Sequence, residues 1–441
     1  MSKPAAESKS NTSQLACLGG VKTVAETTPN WPCPTDAEVE AVRQNLIKAQ
    51  TTWGLMNTAC GGGIGEVFEN RFKQDLGVDH AVATSGGGPA LHIACMAVLE
   101  MGDEAITTPY SWGQSVSCIV QAGGIPIFAD IDPETLTLDP ASIESKITPR
   151  TKAIVLCHIY GIPADMDAIC DIAKRHNLRV IEDCAQAQGS LYKGKQVGTF
   201  GDLACFSLGS GKNIAVGEAG FLVAKDLGMY EEALLAGMHP ARTYGEIKDP
   251  ERKKWIDSLI YTYRVNALSA SLGVKQLDRL EEMNSWRRKN YAALVERLDG
   301  MPGIRPQNLP ENLDPAWHMQ AWTFVPEDVP GVNREQYVKA LNAEGVGIGN
   351  DYVGTPIYLR PMFQHKKTHF GHGFPWTANP EGDKIIYKAG DCPVAEKRCA
   401  VTGMQMSVGN LYRDVTRYLD HVAEAFKKVT TQLDEVRKIE L

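Results

Sequence analysis

The strongest constraint on the fold is a run of short apolar segments that alternate with helical ones. Ala81-Val82-Ala83, Ala105 to Thr108, Pro126 to Ala129, Ala153 to Cys157 and Leu178 to Glu182 each read as a strand. Helical spacing fills the intervals over 90–99, 115–122 and 165–176. Strands this uniformly apolar are covered on both faces, so the pattern predicts a parallel sheet between helix layers. Phe206 and Phe221-Leu222-Val223 add strands, at least one of them antiparallel. Helices are expected from Thr35 or Asp36, over 66–76, over 263–282 and over 291–298. A proline-rich stretch from Pro302 to Pro315 marks a boundary. The domain reading is a fraying tail and lead-in over 1–30, a large domain over 31–300 and a small α/β domain over 301–441. The Pro-, Gly-, His- and aromatic-rich stretch 360–392 reads as a structured insertion.

In such sheets, ligands gather at the carboxyl ends of the strands. Asp183 ends one of these strands, and Lys212 follows another in a loop of small residues, Gly209-Ser210-Gly211. Alone, Asp183 reads equally well as a helix cap and Lys212 as a surface lysine. Together they suit pyridoxal 5′-phosphate (PLP), whose aldehyde needs an amine for a Schiff base and whose ring nitrogen needs an anion. Ser85-Gly86-Gly87-Gly88, between a strand and a helix, offers backbone N–H groups to a phosphate. Ser207 adds a hydroxyl, and Trp112 is a candidate to stack on the ring.

Several motifs extend this reading. They are Ser-Gly-x-x-x-Ala-Leu at 85–91, Pro-Tyr-Ser-Trp at 109–112, Pro-x-Phe-x-Asp-Ile-Asp at 126–132 and His-x-Tyr-Gly-x-Pro-Ala-Asp-Met at 158–166. Glu-Asp-Cys-Ala-Gln-Ala-Gln-Gly at 182–189 and Lys-Asn-x-x-x-Gly-Glu-x-Gly at 212–220 complete them. In this order they resemble the DegT/DnrJ/EryC1/StrS sugar aminotransferases, over about residues 39–429. The resemblance implies a fold-type I PLP enzyme with a mostly parallel seven-stranded sheet and a smaller C-terminal α/β domain. It implies PLP joined to Lys212 as an internal aldimine, with Asp183 on the pyridinium and Trp112 stacked on the ring. Gln186 is implied beside the ring hydroxyl, and Ser207 with the Gly87 and Gly88 amides at the phosphate. It further implies a homodimer with shared sites, in which Arg264 or Asn266 reaches the other subunit's phosphate. The family usually has Thr or Ser where Gly88 stands, so one phosphate hydroxyl is missing.

Thr355 to Tyr358, Phe374-Pro375-Trp376 and Gly390 to Glu396 resemble the branch that aminates cyclitol ketones, the glutamine:scyllo-inosose type. The acceptor is expected to meet residues 352–396, with Tyr352 and Tyr358 as candidates. The reaction implied is transfer of an amino group from an amino acid, glutamine or glutamate, to a keto-sugar or keto-cyclitol in amino-sugar, aminocyclitol or antibiotic biosynthesis. The alternatives are a sugar dehydratase, whose relatives carry His in place of the lysine, an amino-acid racemase, a non-catalytic PLP-binding regulator, and an α/β binding protein without PLP.

Composition excludes other classes. The net charge is −8 with no basic run, which argues against a nucleic-acid partner. The eleven cysteines contain no CxxC pair, so they read as buried thiols in a reducing compartment, and no metal site is expected. There is no secretory leader and no apolar run of about 18 residues, so a cytoplasmic protein without a membrane span is expected.

Overall fold

A computed structural model describes residues 13–257, 261–407 and 411–441. Its centre is a seven-stranded sheet. The strands are β1 (His80–Thr84), β2 (Glu104–Thr107), β3 (Ile125–Phe128), β4 (Thr151–Cys157), β5 (Arg179–Asp183), β6 (Leu203–Ser207) and β7 (Gly220–Ala224), in the spatial order β1-β7-β6-β5-β4-β2-β3. Only β7 runs against its neighbours; the other pairs in this sheet are parallel. Successive side chains alternate between two cores. Ala81, Ala83, Ile154, Leu156 and Val180 enter one, and Val82, Ala153, Val155 and Ile181 enter the other. Because six strands share a direction, Thr84, Thr107, Phe128, Cys157, Asp183 and Ser207 all end at one edge of the sheet, and the loops that follow them meet there.

The covering helices include α1 (Asp36–Ala49), α2 (Gly63–Leu76), α3 (Gly87–Met96), α4 (Gln114–Gln121) and α5 (Met166–His176). Thr35 caps α1 in a reciprocal capping box with Glu38. The helix expected over 263–282 is shorter and displaced. Residues 263–266 are not helical, and Arg264 bridges Thr84 in antiparallel fashion. Asn266 then caps α6 (Ala267–Leu277). The chain breaks at Asp278-Arg279, where Arg279 turns to pair with the buried Glu38 at 2.6 Å, and α7 runs unbroken over Leu280–Leu298.

Past residue 301 a second sheet forms from β8 (Ile304–Pro306), β9 (Met319–Phe324), β10 (Ile348–Asn350) and β11 (Gly403–Ser407). Its order is β8-β9-β11-β10, antiparallel throughout. Helices α8 (Arg334–Ala343) and α9 (Thr416–Thr430) pack into the same core. The insertion expected at 360–392 holds a short hairpin (Lys367–Thr368 with Gly371–His372) and an aromatic cluster. Phe363 and Tyr387 pack edge-on against Phe128 of the edge strand β3, and the Tyr387 hydroxyl donates to the Pro126 carbonyl at 2.8 Å.

Of the tail and lead-in expected over 1–30, the lead-in falls among the described residues. Residues 1–12 lie outside the described residues. From residue 13 onward the segment is packed: Leu15 and Val24 are buried in the C-terminal core. The buried Glu344 accepts the Ala16 and Thr23 amides and the Lys428 ammonium. Among the described residues no helix is long and apolar enough to cross a membrane.

Candidate active site

Asp183 ends β5 and is buried. Its Oδ1 accepts the Ala185 amide at 3.0 Å, and its Oδ2 accepts the Ser115 hydroxyl at 2.6 Å. Ser115 in turn is paired with Ser111 at 2.7 Å. Cys157 on β4 and Cys205 on β6 stand beside Asp183 in register. Burial, reinforced by the Asp183 charge, pushes both thiols well above the ordinary range, so they surround the carboxylate as neutral groups. Two donors, one to each oxygen, fix the orientation of the Asp183 carboxylate, which suits an anion that must not rotate away.

Lys212 lies in a tight loop after β6. Its amide bonds to the Gly209 carbonyl at 2.9 Å, and its carbonyl accepts the indole N–H of Trp31 at 3.0 Å. Next to it, the Asn213 carboxamide donates to Asn284 and to the Ala316 carbonyl, which ties the loop to α7 and to the C-terminal part of the chain. Burial pushes the Lys212 ammonium below its ordinary pKa, while the nearby Asp183 charge works in the opposite direction.

Both residues line a cavity of about 500 Å³ with Gly87, Gly88, Trp112, Gln114, Ser115, Gln186, Ser207, Glu218 and Tyr352. The structure therefore gathers eight sequence candidates, Gly87, Gly88, Trp112, Asp183, Gln186, Ser207, Lys212 and Tyr352, at the edge where the strands end. Trp112 is 60% exposed, with its ring over the cavity mouth and 6.5 Å from the Tyr352 ring. Gln186 is held by the Tyr160 amide at 2.8 Å and reaches the Tyr352 hydroxyl at 3.4 Å. At the opposite end the backbone of α3 is bare. A Cβ on Gly87 would stand 2.5 Å from the Ser207 Cβ, so only glycine leaves this helix start open.

The other candidates fall elsewhere. Tyr358 does not reach the cavity. It is buried against Phe128, and its hydroxyl is bonded to Glu396 and to the Cys392 amide, because residues 356–364 fold onto the edge strand. Arg264 and Asn266 line a separate open recess of about 630 Å³ with Ser85, Thr262 and Glu218. Asn266 is engaged there as a cap, accepting the Leu268 amide. Sequence reasoning missed Ser115, Gln114 and Trp31. Ser115 had a usable signal, since it sits four residues after Ser111 on a helix start. Trp31 had none, because its partners are far along the chain.

The His158, Glu182 and Cys184 side chains also approach one another, within 4.8 Å. Both ring nitrogens of His158 are engaged, Nδ1 by the Ala164 amide and Nε2 by Glu182 at 3.1 Å. Glu182 accepts the Gly198, Phe200 and Gly201 amides as well. Every strong donor and acceptor here is used in joining β4, β5 and the loop before β6.

Comparison with known proteins gives a consistent assignment. The model of the DegT/DnrJ/EryC1/StrS aminotransferase family matches residues 44–385. A Streptoalloteichus tenebrarius protein provisionally named an L-glutamine:3-amino-2,3-dideoxy-scyllo-inosose aminotransferase is 30% identical over 440 residues, covering 97% of this chain and all of the relative. The GDP-perosamine synthase of Escherichia coli O157:H7 is 39% identical over 336 residues, covering 76% of this chain and 86% of its own. Among solved structures, an E. coli GDP-4-keto-6-deoxy-D-mannose-3-dehydratase with bound hydrated PLP superimposes with a TM-score of 0.70. That match covers 91% of this chain and all of the other; at 23% identity it is a likeness of fold alone.

Proposed function

Because this chain belongs to the DegT/DnrJ/EryC1/StrS aminotransferase family, we propose that it transfers an amino group from glutamine or glutamate to a ketone on a sugar or cyclitol, using PLP in the Asp183–Lys212 cavity. One observation carries the reading: a half-buried lysine and a buried, doubly held carboxylate share a cavity with a helix start that glycine keeps bare. The residues fit the cofactor at both ends, with Asp183 for the ring nitrogen and the Gly87–Gly88 backbone with Ser207 for the phosphate.

When bound, PLP supplies an electron sink for the carbon that loses its proton. The protein's part is to place groups around it. Asp183, fixed by Ser115 and Ala185, would keep a proton on the ring nitrogen. Lys212 would be the anchoring amine and, as a free amine, would carry the proton from the donor's Cα. Its depressed pKa raises the neutral fraction of the amine near neutral pH, which a general base requires. Trp112 would shelter the bound cofactor from water, and Gln186, which reaches the Tyr352 hydroxyl, would help hold the cofactor and position Tyr352 for the acceptor.

A cyclitol or closely related ketone is the preferred acceptor, supported by the end-to-end match to the Streptoalloteichus relative and by the sequence around 355–396. The homodimer is supported by apolar side chains left exposed on neighbouring elements: Val39, Leu46 and Ile47 on α1, Trp53 after it, Val67 on α2 and Leu268 on α6. In such a dimer Arg264 is the better candidate for the cross-subunit phosphate contact, since Asn266 is occupied as a helix cap.

Dehydration of a keto-sugar is the second reading, since this fold is shared with a keto-sugar dehydratase and does not by itself tell the two reactions apart. Lys212 weighs against it, since a retained amine suits amino transfer. The deciding experiment incubates the PLP-loaded protein with isotope-labelled glutamine, glutamate or alanine and with cyclitol or sugar ketones, then follows the label by mass spectrometry. Label in the amine product supports transamination. Loss of water from the ketone with no label transferred from any donor overturns it.

A further inference from the structure

The start of α3 is short of hydrogen-bond donors. A helix offers the amides of its first three residues to an anion. Here those residues are Gly87, Gly88 and Pro89, after the cap residue Gly86. Pro89 has no N–H, so two backbone donors remain for a phosphate with three free oxygens. The side chain of residue 88 cannot add a hydroxyl, because it is glycine. The Glu218 carboxylate on the same rim, 3.8 Å from where a Gly86 Cβ would stand, adds an acceptor and no donor.

The space a side chain at 88 would take is filled from α4. A Cβ on Gly88 would lie 2.4 Å from the Nε2 and 2.7 Å from the Cδ of Gln114. Gln114 is the first residue of α4 and lines the same cavity. Its amide has no partner among the described residues, and its NH₂ end is the part nearest Gly88. A bulkier residue at 88 and a glutamine at 114 in this position exclude each other, so the two residues form one steric unit.

We propose that the Gln114 carboxamide replaces the missing hydroxyl, donating from Nε2 to the cofactor phosphate beside the Gly87 and Gly88 amides and the Ser207 hydroxyl. The inference rests on the PLP reading of this cavity. It makes Gln114 a cofactor-binding residue and explains why Gly88 is compatible with a phosphate site.

The test is equilibrium binding of PLP and of pyridoxal, which lacks the phosphate, to the apo forms of wild type, Gln114→Ala and Gly88→Thr/Gln114→Ala. Gln114→Ala is expected to weaken PLP binding about tenfold, the scale of one hydrogen bond to a charged group, and to leave pyridoxal binding unchanged. The double variant is expected to regain most of the lost PLP affinity, since a hydroxyl returns to a site cleared of the glutamine. Equal PLP affinity in wild type and Gln114→Ala, or an equal loss for PLP and pyridoxal, overturns the assignment. A wild-type protein that takes up no PLP overturns the underlying reading as well, and is distinguishable from a wild type that binds beside an indifferent variant.

Discussion

At the scale of single residues, Lys212 is held in a position that disfavours its own charge. Burial outweighs the attraction of Asp183, so its ammonium form costs more in the folded protein than in the unfolded chain. The sign follows from linkage: a lysine with a depressed folded pKa binds fewer protons folded than unfolded, so stability rises with pH toward the ordinary lysine range. The apo Lys212→Met variant should therefore unfold at a higher temperature than apo wild type at neutral pH, and calorimetry should find the gap narrowing as pH is raised. An unchanged gap across that range would show that the penalty is not electrostatic. Lys212 and Asp183 were legible in the sequence because Asp183 ends a strand and Lys212 lies in the short loop that follows another, where chain direction alone fixes the side of the sheet. Gln114 was not, because its meaning depends on the absence of a side chain at Gly88, twenty-six positions earlier. Tyr358 was misplaced for the converse reason: a motif gives composition but not the direction in which a loop folds, and this loop turns to the edge strand.

At the scale of elements, the site depends on β4, β5 and β6 keeping their register, and the His158–Glu182 pair is their clasp. Burial alone would raise the Glu182 pKa, but His158 and the amides of Gly198 and Gly201 outweigh it and hold the carboxyl below its usual range. A carboxylate with a depressed folded pKa contributes stability that is present above its unfolded pKa and is lost as pH falls through the folded one. Glu182→Gln should cost about 3 kcal/mol, as for one partner removed from a buried pair, and should flatten the acid limb of the stability curve. Denaturant titrations at neutral and acid pH would check both, and an unaltered acid limb would count against this clasp. The strands were readable because apolar runs between turn signals leave little choice. The break between α6 and α7 was not, because it is set by Arg279 reaching Glu38 some 241 positions away, a contact invisible to helical spacing.

At the scale of the molecule, α1, α2 and α6 leave apolar side chains exposed among the described residues, with Trp53 94% exposed just after α1. If two subunits meet there, Trp53→Asp combined with Val39→Asp should shift the protein to monomer in sedimentation velocity, while the circular dichroism of the fold is retained. A variant that stays dimeric would place the interface elsewhere. The lead-in has a different kind of consequence, one of timing. Trp31 donates to the Lys212 carbonyl, lies 5.0 Å from the Arg287 guanidinium and packs at 5.1 Å on Tyr412. Its partner Tyr412 lies 412 − 31 = 381 positions further along the chain. Trp31, and with it the clasp on the loop that carries Lys212, thus gains its full set of contacts only after residue 412 has been made, so this wall of the cavity is among the late parts of the fold to close.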